Sequence, residues 1–384
     1  AAAALGHYFY MFVNPWFPDI QIGRLAHPNP LYIGLGCIVF AGLGFVLARN
    51  YKRIDRETAA ALALPFVAIG LVLHLIPVAI NVLAADRFLY LPLVGVVLAL
   101  TPQFARLERK KLSALLAGAL AASFAATTFV RASTWSDEVT LWTTAFRETA
   151  EDPSLACVEL GGLYAKSGLF DDALAIYRVG SNLDYGGYMM AMHNATTVLA
   201  RQGRYREAKA MLEPVAARYP NVPLFALNLA LFESYLNHFA AARKDLARAL
   251  ALFPDYSQGS ALAAQFPEME RERRELELMS PDAPALDRAR LLGKLGLAAE
   301  AMVAWRAALS QPDVTRAEFE EGLSFAIREG TAESAAQFHR EYRARFPTPD
   351  PKLELVYETR AELVRRLRDA WPTLGISSAV GPRQ

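Results

Sequence analysis

The sequence has few cysteines and lacks the common catalytic motifs. Two of its 384 residues are cysteine, Cys37 in a long apolar run and Cys157 in a more polar region, so we expect no disulfide framework. It has no Ser-His-Asp set, CxxC pair, HExxH, P-loop or GxGxxG in a βαβ setting, and its six histidines are scattered. These absences argue against the commonest hydrolases, zinc proteases and nucleotide-binding folds.

The charge balance excludes another class of partner. Lysine and arginine number 40 against 39 aspartates and glutamates, so the net charge is +1 and nothing indicates a nucleic-acid-binding protein. The chain begins AAAALGHYFY, without a basic segment or cleavage site, which is not typical of a signal peptide. It is more typical of the end of a longer membrane segment, and indicates processing or a missing N-terminal part.

Nearly all long uncharged runs lie in the first third of the chain. A membrane-spanning helix needs about 20 apolar residues, or slightly fewer. The runs that approach or exceed this length predict a helical membrane domain over residues 1–130 with four to five segments, among them Leu31–Ala48, Thr58–Ala85, Phe88–Phe104 and Leu112–Val130.

Two basic loops predict the orientation of these segments. Arg49–Glu57 and Ala105–Lys111 each hold four lysines or arginines, whereas the connections on the other side hold one each. The positive-inside rule places the basic loops in the cytoplasm. We therefore expect an integral membrane protein, in a bacterium one of the inner membrane, with everything after Val130 on the periplasmic side.

The rest of the chain repeats itself with a period of about 34 residues. The segments GLFDDA, GRYREA and NHFAAA end at Ala173, Ala208 and Ala242, and GLAAEA and GTAESA end at Ala301 and Ala335. Prolines follow three of these alanines by twelve residues, at 220, 254 and 347. This pattern is typical of the tetratricopeptide repeat (TPR), a pair of antiparallel helices with a small residue at their crossing.

The repeats predict the domain organisation. A first TPR array covers residues 131–254, a linker or insertion helix covers 255–284, and a second array with a capping helix covers 285–375, leaving a loose tail at 376–384. The predicted fold is therefore all-α, a polytopic helical membrane domain followed by a TPR α-solenoid. Stacked helix pairs form a groove that binds protein partners.

Two motifs point to a known family. Apolar runs end in Ala85-Asp-Arg-Phe-Leu-Tyr-Leu-Pro92, and a last run leads through Trp135 and Trp142 directly into the repeats. This order resembles the C-terminal half of the transmembrane-and-TPR O-mannosyltransferase family and its bacterial relatives, glycosyltransferases of the GT-C fold. The resemblance implies a polyprenyl-phosphate-linked sugar as donor. The family's catalytic acid, in its first outer loop, has no counterpart here, since Asp19 is the only acid before residue 50.

The resemblance also suggests a lipid-phosphate site. Arg87 would hold the phosphate through two hydrogen bonds, Asp86 would orient Arg87, and Tyr90 would line the same cavity. Alternatively, Asp86 and Arg87 are an interfacial pair that fixes helix ends. His74 lies within a predicted span, where it faces either that cavity or a neighbouring helix.

Three further stretches allow two interpretations each. The segment from Tyr188 to His193 contains three methionines, which fit a soft copper site or, more simply, gaps in a helix core. Trp135 and Trp142 either stack on sugar or pack the first repeat onto the membrane domain. The run Arg271–Glu277 is typical of a solvated helix. We predict no metal site.

Two functional hypotheses follow. In the first, the chain is the C-terminal half of a polyprenyl-phosphate-sugar-dependent protein glycosyltransferase. In the second, it is a non-catalytic TPR scaffold or assembly subunit docked on another membrane complex. Both imply protein partners in the TPR groove and membrane lipids around the first domain, with other membrane subunits possible. Neither implies nucleic acid, and only the first implies a sugar donor.

Overall fold

The structure is helical wherever it is described. The computed structural model describes residues 5–6, 8–10, 30–50, 92, 94–95, 98, 110–148, 153–181 and 186–376, and in these residues it contains no strand. The predicted all-α class is confirmed for this part of the chain. The chain divides into two compact units, Ala1–Ala156 with Asp184–Gly186, and Cys157–Leu183 with Gly187–Gln384.

The first unit contains two long apolar helices. Helices α1 (Pro30–Asn50) and α2 (Lys110–Ala132) cover two of the predicted spans. A short 3₁₀ helix, Ser133–Trp135, then leads to α3 (Glu138–Glu148). Large apolar side chains are exposed on both long helices, namely Leu31, Ile38 and Phe45 on α1 and Leu115, Phe129 and Val130 on α2.

The predicted membrane arrangement stays a prediction. With only the described residues counted, the structure has no helix that is both long enough and apolar enough to cross a membrane. The predicted span Thr58–Ala85 lies outside the described residues, and only residues 92, 94–95 and 98 of Phe88–Phe104 are described.

Helix hairpins follow one another through the rest of the chain. The helices are α4 (Ser154–Lys166), α5 (Phe170–Ser181), α6 (Gly186–Arg201), α7 (Tyr205–Arg218), α8 (Pro223–Tyr235), α9 (Phe239–Leu252), α10 (Ser257–Leu278), α11 (Ala285–Lys294), α12 (Ala298–Leu309), α13 (Arg316–Glu329), α14 (Ala332–Arg345) and α15 (Pro351–Ala370). We call α4–α9 the first array and α11–α14 the second array. A 3₁₀ turn, Trp371–Leu374, ends the described part.

Four hairpin turns share one backbone geometry. The second residue after the end of the first helix has a positive φ, at Gly168 (76°), Gly203 (75°), Asn237 (66°) and Gly296 (72°). In each turn the following N–H bonds back five residues, as from Leu169 to the carbonyl of Tyr164 at 2.9 Å. This Schellman arrangement needs a left-handed residue, which explains why glycine or asparagine recurs at this position.

The repeating alanines lie where the paired helices cross. The five alanines that mark the period, at 173, 208, 242, 301 and 335, are at most 2% exposed. Glycine serves the same purpose in α4, where a Cβ on Gly161 would stand 2.4 Å from the Tyr177 ring. Helices α7, α9 and α14 end two residues before Pro220, Pro254 and Pro347, because the chain before a proline leaves the helical conformation.

The second array turns back onto the first. Helix α10, 22 residues and about 33 Å long, connects them. The hairpin turns of the two arrays then meet in reverse order, and we call this contact the turn seam. The Gly168 carbonyl accepts a hydrogen bond from the Ala332 N–H at 3.2 Å. Gly203 faces Ala299, and Gly296 faces Tyr235.

Gly168 is the position at which the seam tolerates least change. A Cβ there would lie 2.6 Å from the Gly330 carbonyl oxygen and 2.8 Å from the Ala332 nitrogen, both backbone atoms. Its φ is also unfavourable for alanine. We expect Gly168→Ala to lower the free energy of unfolding by about 2–4 kcal/mol, measured by urea titration of helical circular dichroism.

Gly375 provides the matched control. Its φ is 65°, yet nothing lies within 4 Å of the position that an added Cβ would take. Gly375→Ala should therefore cost about 1 kcal/mol or less, from backbone strain alone. Equal losses in the two variants would mean that the seam does not contribute to stability.

Candidate protein-binding surface

A half-buried arginine joins the first hairpin to the end of the second array. Arg360, on α15, donates hydrogen bonds to four backbone carbonyls, those of Ser167, Ala326, Ile327 and Gly330, at distances up to 3.2 Å. Burial, followed by the neighbouring Arg201 charge, lowers the pKa of Arg360 to about 10, so the guanidinium stays protonated at neutral pH. One side chain thus bonds to carbonyls at the C-terminal ends of two helices, α4 and α13.

Arg201 makes a second connection across the seam. Its guanidinium donates to the carbonyl of Ala165 at 3.1 Å and to that of Arg328 at 2.7 Å, and lies 4.9 Å from the centroid of the Phe170 ring. The Glu329 carboxylate is 3.6 Å from Nε. Burial lowers the pKa of Arg201, and the charge of Glu329 opposes that shift.

Tyrosine hydroxyls complete the contact between the two arrays. Tyr164 donates to the Leu367 carbonyl at 2.6 Å, which ties α4 to α15. Tyr205 donates to the Glu300 carboxylate at 3.0 Å. Burial raises the pKa of Tyr235 to about 12, with a further contribution from the charge of Glu329. The raised pKa values of Tyr205 and Tyr235 keep both hydroxyls protonated at physiological pH, which favours a structural role.

The turn seam leaves a small cavity between the arrays. Its volume is about 300 Å³, and it is lined by Asn228 and Tyr235 from the first array and by Phe325, Arg328 and Glu329 from the second, among others. This volume lies at the lower end of the roughly 300–1,000 Å³ of small-ligand pockets. The cavity can accept one or two side chains of a partner, but no helix.

His193 and Asn228 hold two helices together near this cavity. The His193 Nδ1 lies 2.7 Å from the Asn228 amide nitrogen, which joins α6 to α8. Burial lowers the pKa of His193, so the neutral ring is favoured and Nδ1 can accept the amide proton. The pair positions the first helices of two successive repeats.

A buried carboxylate occupies the edge of the first array. Glu233 is 5% exposed and lies 2.8 Å from both Lys209 Nζ and His238 Nδ1. Burial alone would raise the pKa of Glu233, but its hydrogen bonds to Lys209 and His238 lower it overall. The charges of Glu233 and Lys209 neutralise each other, which is characteristic of a structural ion pair.

None of the four predicted lipid-phosphate residues can be placed. His74, Asp86, Arg87 and Tyr90 all lie outside the described residues. Their assignment to a lipid-phosphate site stays a prediction.

Two of the alternative sites have packing roles where they are described. Trp142 packs against Ala145 and Ala156 in the first unit, whereas Trp135 is 46% exposed. Met189 and Met192 pack against the core of the helical repeats. Within the described ranges, no group of three histidine, cysteine, aspartate or glutamate side chains could hold a metal ion.

The arginines of the seam were missed by the sequence analysis. Arg201 lies just before the turn glycine Gly203, and Arg360 lies in a helix that is rich in both charges. Charged residues in such a helix are usually solvated, so nothing marks these arginines as interior. Their acceptors are backbone carbonyls, which every residue type carries, so no particular residue type marks the acceptor position either. Neither arginine therefore had a local signal.

Comparison with known proteins adds little to this description. No protein-family model and no curated protein matches the chain. A similar solved structure is that of PilW, described as a widely conserved type IV pilus biogenesis factor. The two chains are 18% identical in sequence, and the aligned region covers 49% of this chain and 91% of PilW, with a TM-score of 0.22. A likeness at that level carries no argument about function.

The hydrogen bonds of Arg360 can be tested by removing its guanidinium. Arg360→Met leaves four carbonyls without this donor, and we expect a loss of about 2–4 kcal/mol in the free energy of unfolding. Arg365→Met, on the same helix but with a 69% exposed side chain, should leave stability almost unchanged. Urea unfolding of the two variants measures both values, and similar losses would rule out the bridging role.

The lowered pKa of His193 predicts a pH dependence. The unfolded histidine binds a proton near pH 6.5, whereas the folded one binds it only at lower pH. The contribution of His193 to stability is therefore complete above pH 6.5 and is lost as the pH falls toward the pKa of the folded state. Over that range the free energy of unfolding falls by no more than about 1.4 kcal/mol per pH unit.

His193→Gln keeps a hydrogen-bonding side chain but cannot titrate. The difference in unfolding free energy between pH 7.5 and 5.5 should be smaller in this variant than in the unaltered chain, measured by urea titration. Identical differences would show that His193 does not titrate with a shifted pKa.

Proposed function

We propose that the chain is a TPR-type scaffold or assembly subunit that binds other proteins and docks onto a membrane complex. The observation that carries this proposal is the succession of helix hairpins with the same Schellman turns at Gly168, Gly203, Asn237 and Gly296. Repeats of this kind present extended surfaces to other proteins. The turn seam supports the proposal, because its hydrogen bonds join the two arrays into one continuous surface.

The charged groups of the repeats also favour this function. Arg201, Arg360 and Glu233 are each engaged by backbone carbonyls or by partners of opposite charge. A catalytic centre usually contains titratable groups whose pKa values are shifted toward neutrality in a cleft. At the seam the arginines stay charged at neutral pH although burial lowers their pKa values, and the raised pKa values of Tyr205 and Tyr235 keep these side chains neutral. Both charge states suit structural roles.

An exposed cleft beside the seam is a suitable contact surface. It has a volume of about 360 Å³ and is lined by Phe170, Met302, Val303 and Arg306, among others. Val303 is 71% exposed on α12. An apolar side chain in this position, beside an arginine, fits the mixed character of protein interfaces.

Location at the periplasmic face of a bacterial inner membrane remains part of the proposal. It is based on the basic loops Arg49–Glu57 and Ala105–Lys111 and on the apolar runs around them. Docking through the first unit would also cover the exposed apolar side chains of α1 and α2.

Glycosyl transfer is the second candidate function. It is based on the resemblance of the segment that contains Asp86, Arg87 and Tyr90 to GT-C enzymes that use polyprenyl-phosphate-linked sugars. The lipid-linked sugar would then be a substrate, and the repeats would present the protein acceptor. No residue of the repeats supplies the missing catalytic acid in this hypothesis.

Site-specific photo-crosslinking in intact cells tests the scaffold proposal. A benzophenone amino acid in place of Val303 should give adducts of discrete mass, because an exposed position in an interface contacts a partner directly. The same residue at the exposed loop position Asp313 is the control and should give fewer adducts. Gel mobility and mass spectrometry of the full chain identify them.

Two outcomes would contradict the proposal. The first is the absence of adducts at Val303, or the same adducts at both positions. The second is transfer of a sugar from a polyprenyl-phosphate donor to protein by membranes that contain the chain, with loss of that transfer in Arg87→Ala. The latter result would favour the glycosyltransferase hypothesis instead.

A further inference from the structure

We propose that the cleft between α14 and α15 binds an acidic, extended segment of a partner protein. The inference rests on the proposed scaffold function and specifies one of its contact surfaces. The cleft has a volume of about 450 Å³ and is formed by residues 332–340 of α14 and 357–369 of α15. We call it the arginine cleft.

The charges of the arginine cleft favour an anionic ligand. Its lining contains four arginines and two carboxylates, a difference of two positive charges, in a chain whose net charge is +1. The arginines are at positions 340, 360, 365 and 368, and the carboxylates belong to Glu333 and Asp369. The arginine cleft is therefore locally positive.

The four guanidinium groups differ in their availability. Arg340 is exposed and has no hydrogen-bonding or ion-pairing partner among the residues that the structure describes. Arg365 bonds to Glu362, and Arg368 bonds to Glu333 at 2.6 Å, in exposed pairs that a ligand carboxylate can replace at small cost. Arg360 is held by backbone carbonyls, so it adds charge but no free donor.

The floor of the arginine cleft selects an extended polypeptide. Small side chains, Ala335, Ala336 and Ala361, leave the space open between the helices, and Val364 lies beside them. Tyr357 also lines the cleft and is stacked on His339, with ring centroids 3.6 Å apart. An apolar floor under an arginine rim matches a segment in which small apolar residues alternate with glutamate or aspartate, since their side chains point in opposite directions.

The geometry is less suited to a nucleic acid or a membrane surface. Glu333 and Asp369 lie in the lining of the same cleft, where a continuous row of phosphates would meet them. A peptide carries separate carboxylates, which can pair with single arginines and do not form a continuous row. Arginine also suits carboxylates because its planar donors form two parallel hydrogen bonds.

Fluorescence anisotropy of the full chain in detergent tests the proposal. The probe is a fluorescein-labelled peptide of alternating glutamate and alanine, and its counterpart has lysine in place of glutamate. We expect saturable binding of the glutamate peptide only. The double variant Arg340→Glu/Arg365→Glu should weaken binding about tenfold or more, since two favourable charge contacts become repulsive.

The chain offers a closely matched control for the charge reversal. Arg271 has a 68% exposed side chain bonded to Glu268 three residues earlier, as Arg365 has a 69% exposed side chain bonded to Glu362 three residues earlier. Arg271→Glu removes the same local pair outside the arginine cleft. It should change binding less than about twofold. Circular dichroism checks that all variants remain folded.

Several results would overturn the inference. These are no binding of the glutamate peptide at low salt, equal binding of the lysine peptide, or equal losses in the double variant and Arg271→Glu. Displacement of the bound peptide by phosphatidylglycerol vesicles but not by unlabelled peptide would assign the cleft to lipid. None of these results contradicts the scaffold proposal, because the crosslinks at Val303 are measured independently. Missing crosslinks at Val303, with peptide binding intact, would contradict the scaffold proposal and not the assignment of the arginine cleft.

Discussion

The folded-back form of the repeat array depends on the hydrogen bonds of one half-buried guanidinium. Helix ends leave carbonyls without partners inside the helix, and these groups need donors when they are buried. Arg360 supplies donors to carbonyls from the first hairpin turn, from the end of α13 and from the turn before α14. A guanidinium has five N–H groups in one plane, so a single residue can join three segments. Arg201 repeats this arrangement on a smaller scale.

This closure changes how the repeats function as a binding surface. In an open solenoid each repeat touches only its neighbours, and the concave face stays free. Here Tyr164 bonds to the carbonyl of Leu367, 203 residues later in the chain, and the hairpin turns of the two arrays face one another. Residues of both arrays line a cavity of about 300 Å³ and, beside it, a cleft of about 360 Å³. The surfaces open to a partner are therefore the clefts beside the seam, lined by Val303 or by Arg340.

The helical repeats were predictable because their signals are local. A hairpin turn with positive φ requires glycine or asparagine, and a close helix crossing requires alanine, so both recur with the period of the structure. The rule fails at Gly330, whose φ is −80°, where the side chain of Thr331 caps α14 instead. The same spacing thus corresponds to a different turn, because a capping side chain offers the backbone an alternative. The candidate residues His74, Asp86, Arg87 and Tyr90 stay predictions.

The sequence by itself determined the all-helical class of the described residues, the period of the hairpins and the positions of the turns. Each depends on residues within one helix pair, so residue type and spacing are sufficient. Only the tertiary structure decided that the second array returns to the first and that Arg201 and Arg360 lie inside. These arginines bond to backbone carbonyls as far as 193 residues away, and every residue type carries a carbonyl. The acceptor therefore cannot be recognised from the sequence. An arginine in a charged helix has the same neighbours in the sequence whether it is buried or solvated.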